Sequence, residues 1–170
     1  MKQDEQQQIF HQWLTEHKGL LFKVIHAYAF QAVDKEDLFQ NISLQLWRSI
    51  PAYRKEAKVS TWIYRIALNT AIKWLRQSKR HQRTHEPLEQ MPQLLQHTDY
   101  QLDERLSWLY EEIARLDEID RSLCLLMLDG YSYKEMAEIS GLSVSHVGVK
   151  INRIKKQLME RAKKLERHGV

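Results

Sequence analysis

The sequence predicts an all-α protein made of two small helical domains joined by a flexible linker. Three observations carry that prediction. Glycine and proline are scarce, at 5 and 3 of 170 residues, where turn-rich β proteins use many. Apolar residues recur at three- and four-residue steps through long stretches of the chain. The alternation of a half-buried strand is missing, and so is any internal repeat. Hydrophobic residues make up 43% of the chain, enough for a packed core, and the length suits one ordinary domain or two small ones.

The elements follow in order. Residues 6–30 read as helix, with Phe10, Trp13, Leu14, Leu20, Leu21, Val24 and Ile25 at helical spacing and Gly19 as a break or bend. Asp34 reads as the N-cap of the next helix, DKEDLFQNISLQLWRSI, which places Leu38, Ile42 and Leu46 on one stripe and stops at Pro51. Ser60 is the next candidate N-cap. The helix TWIYRIALNTAIKWLRQSKR sets Ile63, Ala67, Thr70, Ala71 and Trp74 on one face. Arg65, Asn69, Ile72, Lys73, Arg76 and Arg80 fall on the other.

Residues 81–101 change character. They hold two of the three prolines and many Gln and His, as a linker does. Helical spacing resumes with Leu106, Leu109, Ile113 and Leu116, and a further helix, EIDRSLCLLMLDG, ends at Gly130. The stretch YKEMAEISGLSVSHVGVKINRIKK then has the layout of a helix-turn-helix. Ala137 is small where two helices cross, Gly141 suits a left-handed turn, Leu142 plugs it and Ser143 caps the second helix. Val147, Ile151, Ile154 and Leu158 form the buried stripe. Ser145, Val149, Asn152 and Lys156 centre the exposed face, flanked by His146 and Arg153. Gly148 sits mid-helix, where it costs about 1 kcal/mol relative to Ala.

Charge is segregated although the net value is only +4. Ala57 to His85 contains no acid but Lys58, Arg65, Lys73, Arg76, Lys79, Arg80 and Arg83. Gly141 to Met159 again contains none, but Lys150, Arg153, Lys155 and Lys156. Two separate basic helices suggest two contacts with a polyanion. Trp62 and Tyr64 beside the first set suit unstacked bases, whereas Trp74 reads as core.

Several function classes are excluded. The single cysteine, Cys124 in SLCLLML, cannot form an internal disulfide and reads as a small buried hydrophobe. His81, His85 and His97 lack metal-ligand spacing, so no metal or cofactor is expected. The polar start MKQDEQQQIF is not a signal peptide, and no apolar run is long enough for membrane insertion. No phosphate loop, metal cluster or activated nucleophile points to an enzyme.

These motifs together resemble the bacterial RNA polymerase sigma factors, specifically the extracytoplasmic-function (ECF) class. DKEDLFQNISLQLW resembles the segment that binds core polymerase. STWIYRIALNTAIKWLRQSKR resembles the segment that melts and reads the −10 element. LDEIDRSLCLLMLDGYSYKEMAEISGLSVSHVGVKINRIKKQL resembles the domain that reads the −35 element. The resemblance implies sigma region 2 at residues 1–82, a linker at 83–101 and sigma region 4 at 102–170. It implies three partners: core RNA polymerase through its beta and beta-prime subunits, promoter DNA, and an anti-sigma factor. A cytoplasmic location goes with them.

Roles carry over by position. Asp37, Leu38, Gln40, Asn41, Leu44 and Trp47 match the polymerase-binding segment; family members often have Glu at the position of Asn41, and Trp47 is equally readable as core. Ser60 and Thr61, in the loop from Glu56, match the polar groups that capture a flipped base, although Ser60 is equally a cap. Trp62, Tyr64, Arg65, Asn69, Lys73 and Arg76 match the −10 helix. Gly148, Val149, Asn152 and Arg153 match the positions that face the −35 groove, and Ser145, His146 and Lys156 share that exposed face and are expected at the same site. Relatives often carry Lys or Arg where Gly148 stands, so Gly148 marks either a close backbone approach to DNA or a lost contact. A stand-alone helix-turn-helix regulator is the alternative.

Overall fold

A computed structural model of the chain describes residues 3–81 and 104–167, whose regular structure is entirely helical. The chain divides into two compact units, Met1–Glu104 and Arg105–Val170. The first contains α1 (Gln3–Glu16), α2 (Lys18–Tyr28), α3 (Ala32–Ser49), a 3-10 turn (Ile50–Ala52) and α4 (Val59–His81). The second is built from α5 (Glu104–Ala114), α6 (Glu118–Leu128), α7 (Tyr133–Ser140) and α8 (Val144–Arg167). The expected linker, with His85 and His97, lies outside the described residues.

In the first unit α4 packs against both α2 and α3. The reason is legible in spacing. Leu38, Ile42 and Leu46 on α3 and Ile63, Ala67 and Ala71 on α4 recur every fourth residue, and all six are completely buried. Ala67 and Ala71 are small, which lets neighbouring helices come close. A chain of aromatic rings then anchors the loop between the 3-10 turn and α4. Trp13 meets Tyr53 edge-on with centroids 5.4 Å apart, and Tyr53 meets Trp62 at 5.5 Å. The Tyr53 hydroxyl closes the loop by donating to the Ala57 carbonyl at 2.7 Å. Lys55 within it takes a left-handed φ of 61°.

Three expected boundaries are corrected here. The first helical stretch breaks at His17, and Gly19 lies inside α2. Gln31 occupies the N-cap of α3, so Asp34 sits in the first turn, where its carboxylate still suits the helix dipole. Helix α4 begins at Val59, which puts Ser60 inside its first turn instead of at its cap.

In the second unit α8 packs on α6 and α7. Val147, Ile151 and Ile154 are fully buried, as are Leu123, Cys124 and Leu126 of α6. Leu158 is half-buried, and Leu106 at the start of α5 is 41% exposed. The buried part of that predicted stripe is therefore Ile113 on α5 and Leu116 just beyond its end.

Side chains satisfy the helix ends. Asp117 Oδ1 accepts from the amides of Ile119 and Asp120. Ser132 and Glu135 form a reciprocal capping box at α7. Arg121, buried, donates to the carbonyls of Ala114 and Leu116 at 2.7 and 3.0 Å, at the C-terminal end of α5. Gly141 makes the turn into α8 with φ 75°, a conformation that strains any residue with a Cβ. The Ser143 hydroxyl accepts from the His146 amide, capping α8 as expected.

Cys124 is the small buried hydrophobe that its setting suggested. Burial, with the neighbouring charge of Asp120, pushes its thiol up to about 11. Raised this far, the thiol is protonated throughout the neutral range. Alkylation by iodoacetamide at pH 8 is therefore expected to be at least roughly hundredfold slower in the folded protein than in urea. As the chain has one cysteine, mass spectrometry reads the rate directly, and equal rates would contradict the burial.

Candidate nucleic-acid interface

Helix α4 turns one face inward and leaves a cationic face outward. With Ile63, Ala67 and Ala71 buried, the residues on the opposite side of the 3.6-residue turn face solvent. Arg65, Asn69, Lys73 and Arg76 are all exposed there. No acid interrupts them, since none occurs between Ala57 and His85. Cations with an amide between them match the spaced acceptors of a phosphate backbone.

The aromatic residues of this helix behave differently from expectation. Tyr64 is fully buried. It sits one position after Ile63 and four before the buried Leu68, so it belongs to the packed face and cannot present its ring to DNA in this structure. Trp62 is half-buried, and its indole N–H donates to Ser49 Oγ at 3.2 Å. It braces the loop as well as flanking the surface. Ser60 and Thr61 are half-buried beside it. Trp74, expected as core, is half-buried, and its Nε1 donates to Asp37 Oδ2 at 2.6 Å across to α3.

On α3 the residues Asp37, Gln40, Asn41 and Leu44 form an exposed stripe, with Leu44 45% accessible. Leu38 does not join them. It lies completely buried on the stripe of Ile42 and Leu46, because positions four apart share one side of a helix. Asp37 is held from two sides, since Asn41 Nδ2 also donates to its Oδ1 at 3.3 Å. Trp47 is half-buried, its ring edge-on to Phe10 at 5.4 Å and its carbonyl accepting from Gln6 Nε2 at 2.8 Å.

The second patch is the outer face of α8. Ser145, His146, Val149, Asn152, Arg153 and Lys156 are all exposed. The side chains of Asn152, Arg153 and Lys156 make no hydrogen bond or ion pair among the described residues, so their donors point to solvent. Lys150 behaves otherwise. Its Nζ lies 2.7 Å from Asp120 Oδ1, with both side chains largely covered. In the sequence Lys150 stands three residues after Val147 and four before Ile154, at the edge of the buried stripe, which signals its partial burial but not its partner.

Gly148 is half-buried, turned away from the centre of the exposed face. A Cβ built on it would stand 3.5 Å from Cε2 of Tyr133 on α7, an ordinary contact. Its neighbour is therefore the first helix of the helix-turn-helix. Pairing a mid-helix glycine with an aromatic one helix away needs the tertiary packing, and nothing in the local pattern announced it.

Among the described residues no group of His, Cys, Asp and Glu could hold a metal ion, and no helix is long and apolar enough to cross a membrane.

Comparison with known proteins matches both units. Sigma-70 region 2 covers residues 13–81 and sigma-70 region 4 covers residues 106–158. The chain is 27% identical to the RNA polymerase sigma factor YlaC of Bacillus subtilis, over 91% of this chain and 90% of that protein. It is 29% identical to the ECF RNA polymerase sigma-E factor of Haemophilus influenzae, over 74% and 72%. The sigma factor RpoE of Bartonella quintana, solved with the anti-sigma factor NepR, shares the fold with a TM-score of 0.70 at 19% identity, over 91% and 96%. CnrH, solved with the cytosolic domain of CnrY, does so at 0.66 and 20%, over 93% and 90%.

Because a Cβ fits beside Tyr133, Gly148→Ala is expected to stabilise the second unit by about 0.5–1 kcal/mol through helix propensity. A higher urea midpoint checks this. A lower one would mean that the ring cannot share the space.

Proposed function

The chain belongs to the extracytoplasmic-function class of RNA polymerase sigma factors, and from that premise we propose how its surfaces divide the work. It directs core RNA polymerase to promoters. The observation that carries the finer reading is the pair of acid-free cationic helix faces, one in each unit, each opposite a fully buried stripe. One duplex reader is enough for a repressor. Two readers suit a protein that holds a promoter at two elements.

In this reading residues 1–82 act as region 2, 83–101 as the linker and 102–170 as region 4. Helix α8 enters the major groove of the −35 element, with Ser145, Asn152 and Arg153 toward base edges and His146 and Lys156 toward phosphates. Gly148 stands at the edge of that face, beside Tyr133. Arg65, Asn69, Lys73 and Arg76 hold the −10 strand, and Ser60, Thr61 and Trp62 border the place where an unpaired base is captured. Trapping unpaired bases drives melting with no covalent step and no cofactor, so the chain acts as a DNA-binding initiation factor, not an enzyme. Asp37, Gln40, Asn41, Leu44 and the edge of Trp47 offer the surface for the beta and beta-prime subunits. Leu38 and Tyr64 support these surfaces from within.

The two solved relatives were each captured with a protein partner, in one case an anti-sigma factor. That supports an anti-sigma partner for this chain too, acting with the transcription machinery in the cytoplasm. The stand-alone regulator is not favoured, because region 2 is matched along 13–81 and a regulator has no use for it.

Transcription in vitro with purified core polymerase on genomic fragments tests the proposal. Specific start sites are expected only when the chain is added, and their absence would refute it. Arg153→Ala is expected to lose about 1–3 kcal/mol of −35 affinity while core binding persists. Loss of core binding in a pull-down would instead show that the roles of the two units are misassigned.

A further inference from the structure

Val149 is 64% exposed, the most exposed large apolar side chain among the described residues. Its position is unusual in a second way. It lies at the centre of the outer face of α8, one turn after Ser145 and one turn before Asn152 and Arg153, all of them polar and exposed. Nothing in the fold asks for a valine there. It packs against no core, and a β-branched residue is a poorer helix former than the alanine, lysine or glutamine that a solvated position would take.

Its chemistry suits one ligand. The surrounding segment, Gly141 to Met159, contains no acid, so the face complements a polyanion. The edges that a major groove presents are donors and acceptors with one apolar exception, the C5 methyl group of thymine. Valine in a helix has essentially one χ1 rotamer, so its two methyl groups form a small, preset apolar tip that loses little entropy on contact. Resting on the proposed role of α8 as the −35 helix, we propose that Val149 reads the C5 methyl of one thymine in the −35 duplex and sets preference at that base pair. Side chains three residues apart on a helix stand about 5–6 Å from each other. The base pair that Asn152 contacts is therefore within about two steps of this thymine.

The test uses the complete chain bound to core polymerase on a promoter identified by start-site mapping. Each thymine of the −35 element, on either strand, is replaced in turn by deoxyuridine, which deletes the methyl group and leaves every hydrogen-bonding atom in place. Wild type is expected to bind one substituted duplex about fourfold more weakly, the weight of one buried methyl group. Val149→Ala should bind the thymine and deoxyuridine duplexes at that position equally, with a melting temperature no lower than wild type, because the residue has no packing role and alanine is the better helix former. The proposal is overturned if no position is sensitive in wild type, if Val149→Ala keeps the same sensitivity, or if the element holds no thymine on either strand. A wild-type protein that supports no promoter-dependent start would instead overturn the reading of α8 itself, which is a different result from specific starts that ignore the methyl group.

Discussion

A helix that reads DNA is useful only if its rotation about its own axis is held. One residue of slip turns the face by about 100° and replaces the reading side chains with the packing ones. In α8 that rotation is set by Val147, Ile151 and Ile154, all completely buried, and by the ion pair from Lys150 to Asp120 at 2.7 Å. Hydrophobic burial tolerates small rotations, because it has no direction. The ion pair does not, since a largely covered charge left without its partner costs several kcal/mol. Roughly three turns further on, Arg161 meets the buried carboxylate of Glu112 at 2.7 Å, so α8 is held at two levels. The outward placement of Asn152, Arg153 and Lys156 follows from these inward contacts.

The first unit answers the same requirement with aromatic groups. Ile63, Ala67 and Ala71 hold α4 against its neighbours, and the 2.6 Å hydrogen bond from Trp74 to Asp37 spans the seam between α4 and α3. A hydrogen bond to an ionised carboxylate is stronger than one between neutral groups. Asp37 therefore ties the exposed stripe of α3 to the cationic helix α4. At the other end of α4, the Trp13, Tyr53 and Trp62 rings set the loop that leads into it.

Much of this is legible in the amino-acid sequence. Helical periodicity located α3, α4 and α8 and most of their buried stripes, because a two-sided helix writes its burial into its spacing; Thr70, Trp74 and Leu158 are only half-buried, and Tyr64 and Leu68 join the buried side of α4. The acid-free runs marked the two cationic faces, because charge distribution is a property of composition. Leu38 and Tyr64 show where position-matching misleads: a motif aligns residues along the chain, but their side chains turn to the core. The caps at Asp34 and Ser60 failed for another reason. Both are good capping residues, yet the helices begin a few residues earlier, and Gln31 at the start of α3 makes no side-chain cap hydrogen bond, so that helix starts without the cap residue its sequence offers.

The sequence by itself determined the all-helical class, the helix-turn-helix with its left-handed Gly141, and which face of each basic helix stays in water. All of these depend on neighbours within a few residues, where spacing and backbone preference are enough. The tertiary structure alone decided that Lys150 is committed to Asp120, that Gly148 faces Tyr133, and that Asp37 is bound to Trp74. Each of these joins residues from different helices. The distance between them in space is set by how the helices pack, a quantity that no local pattern contains.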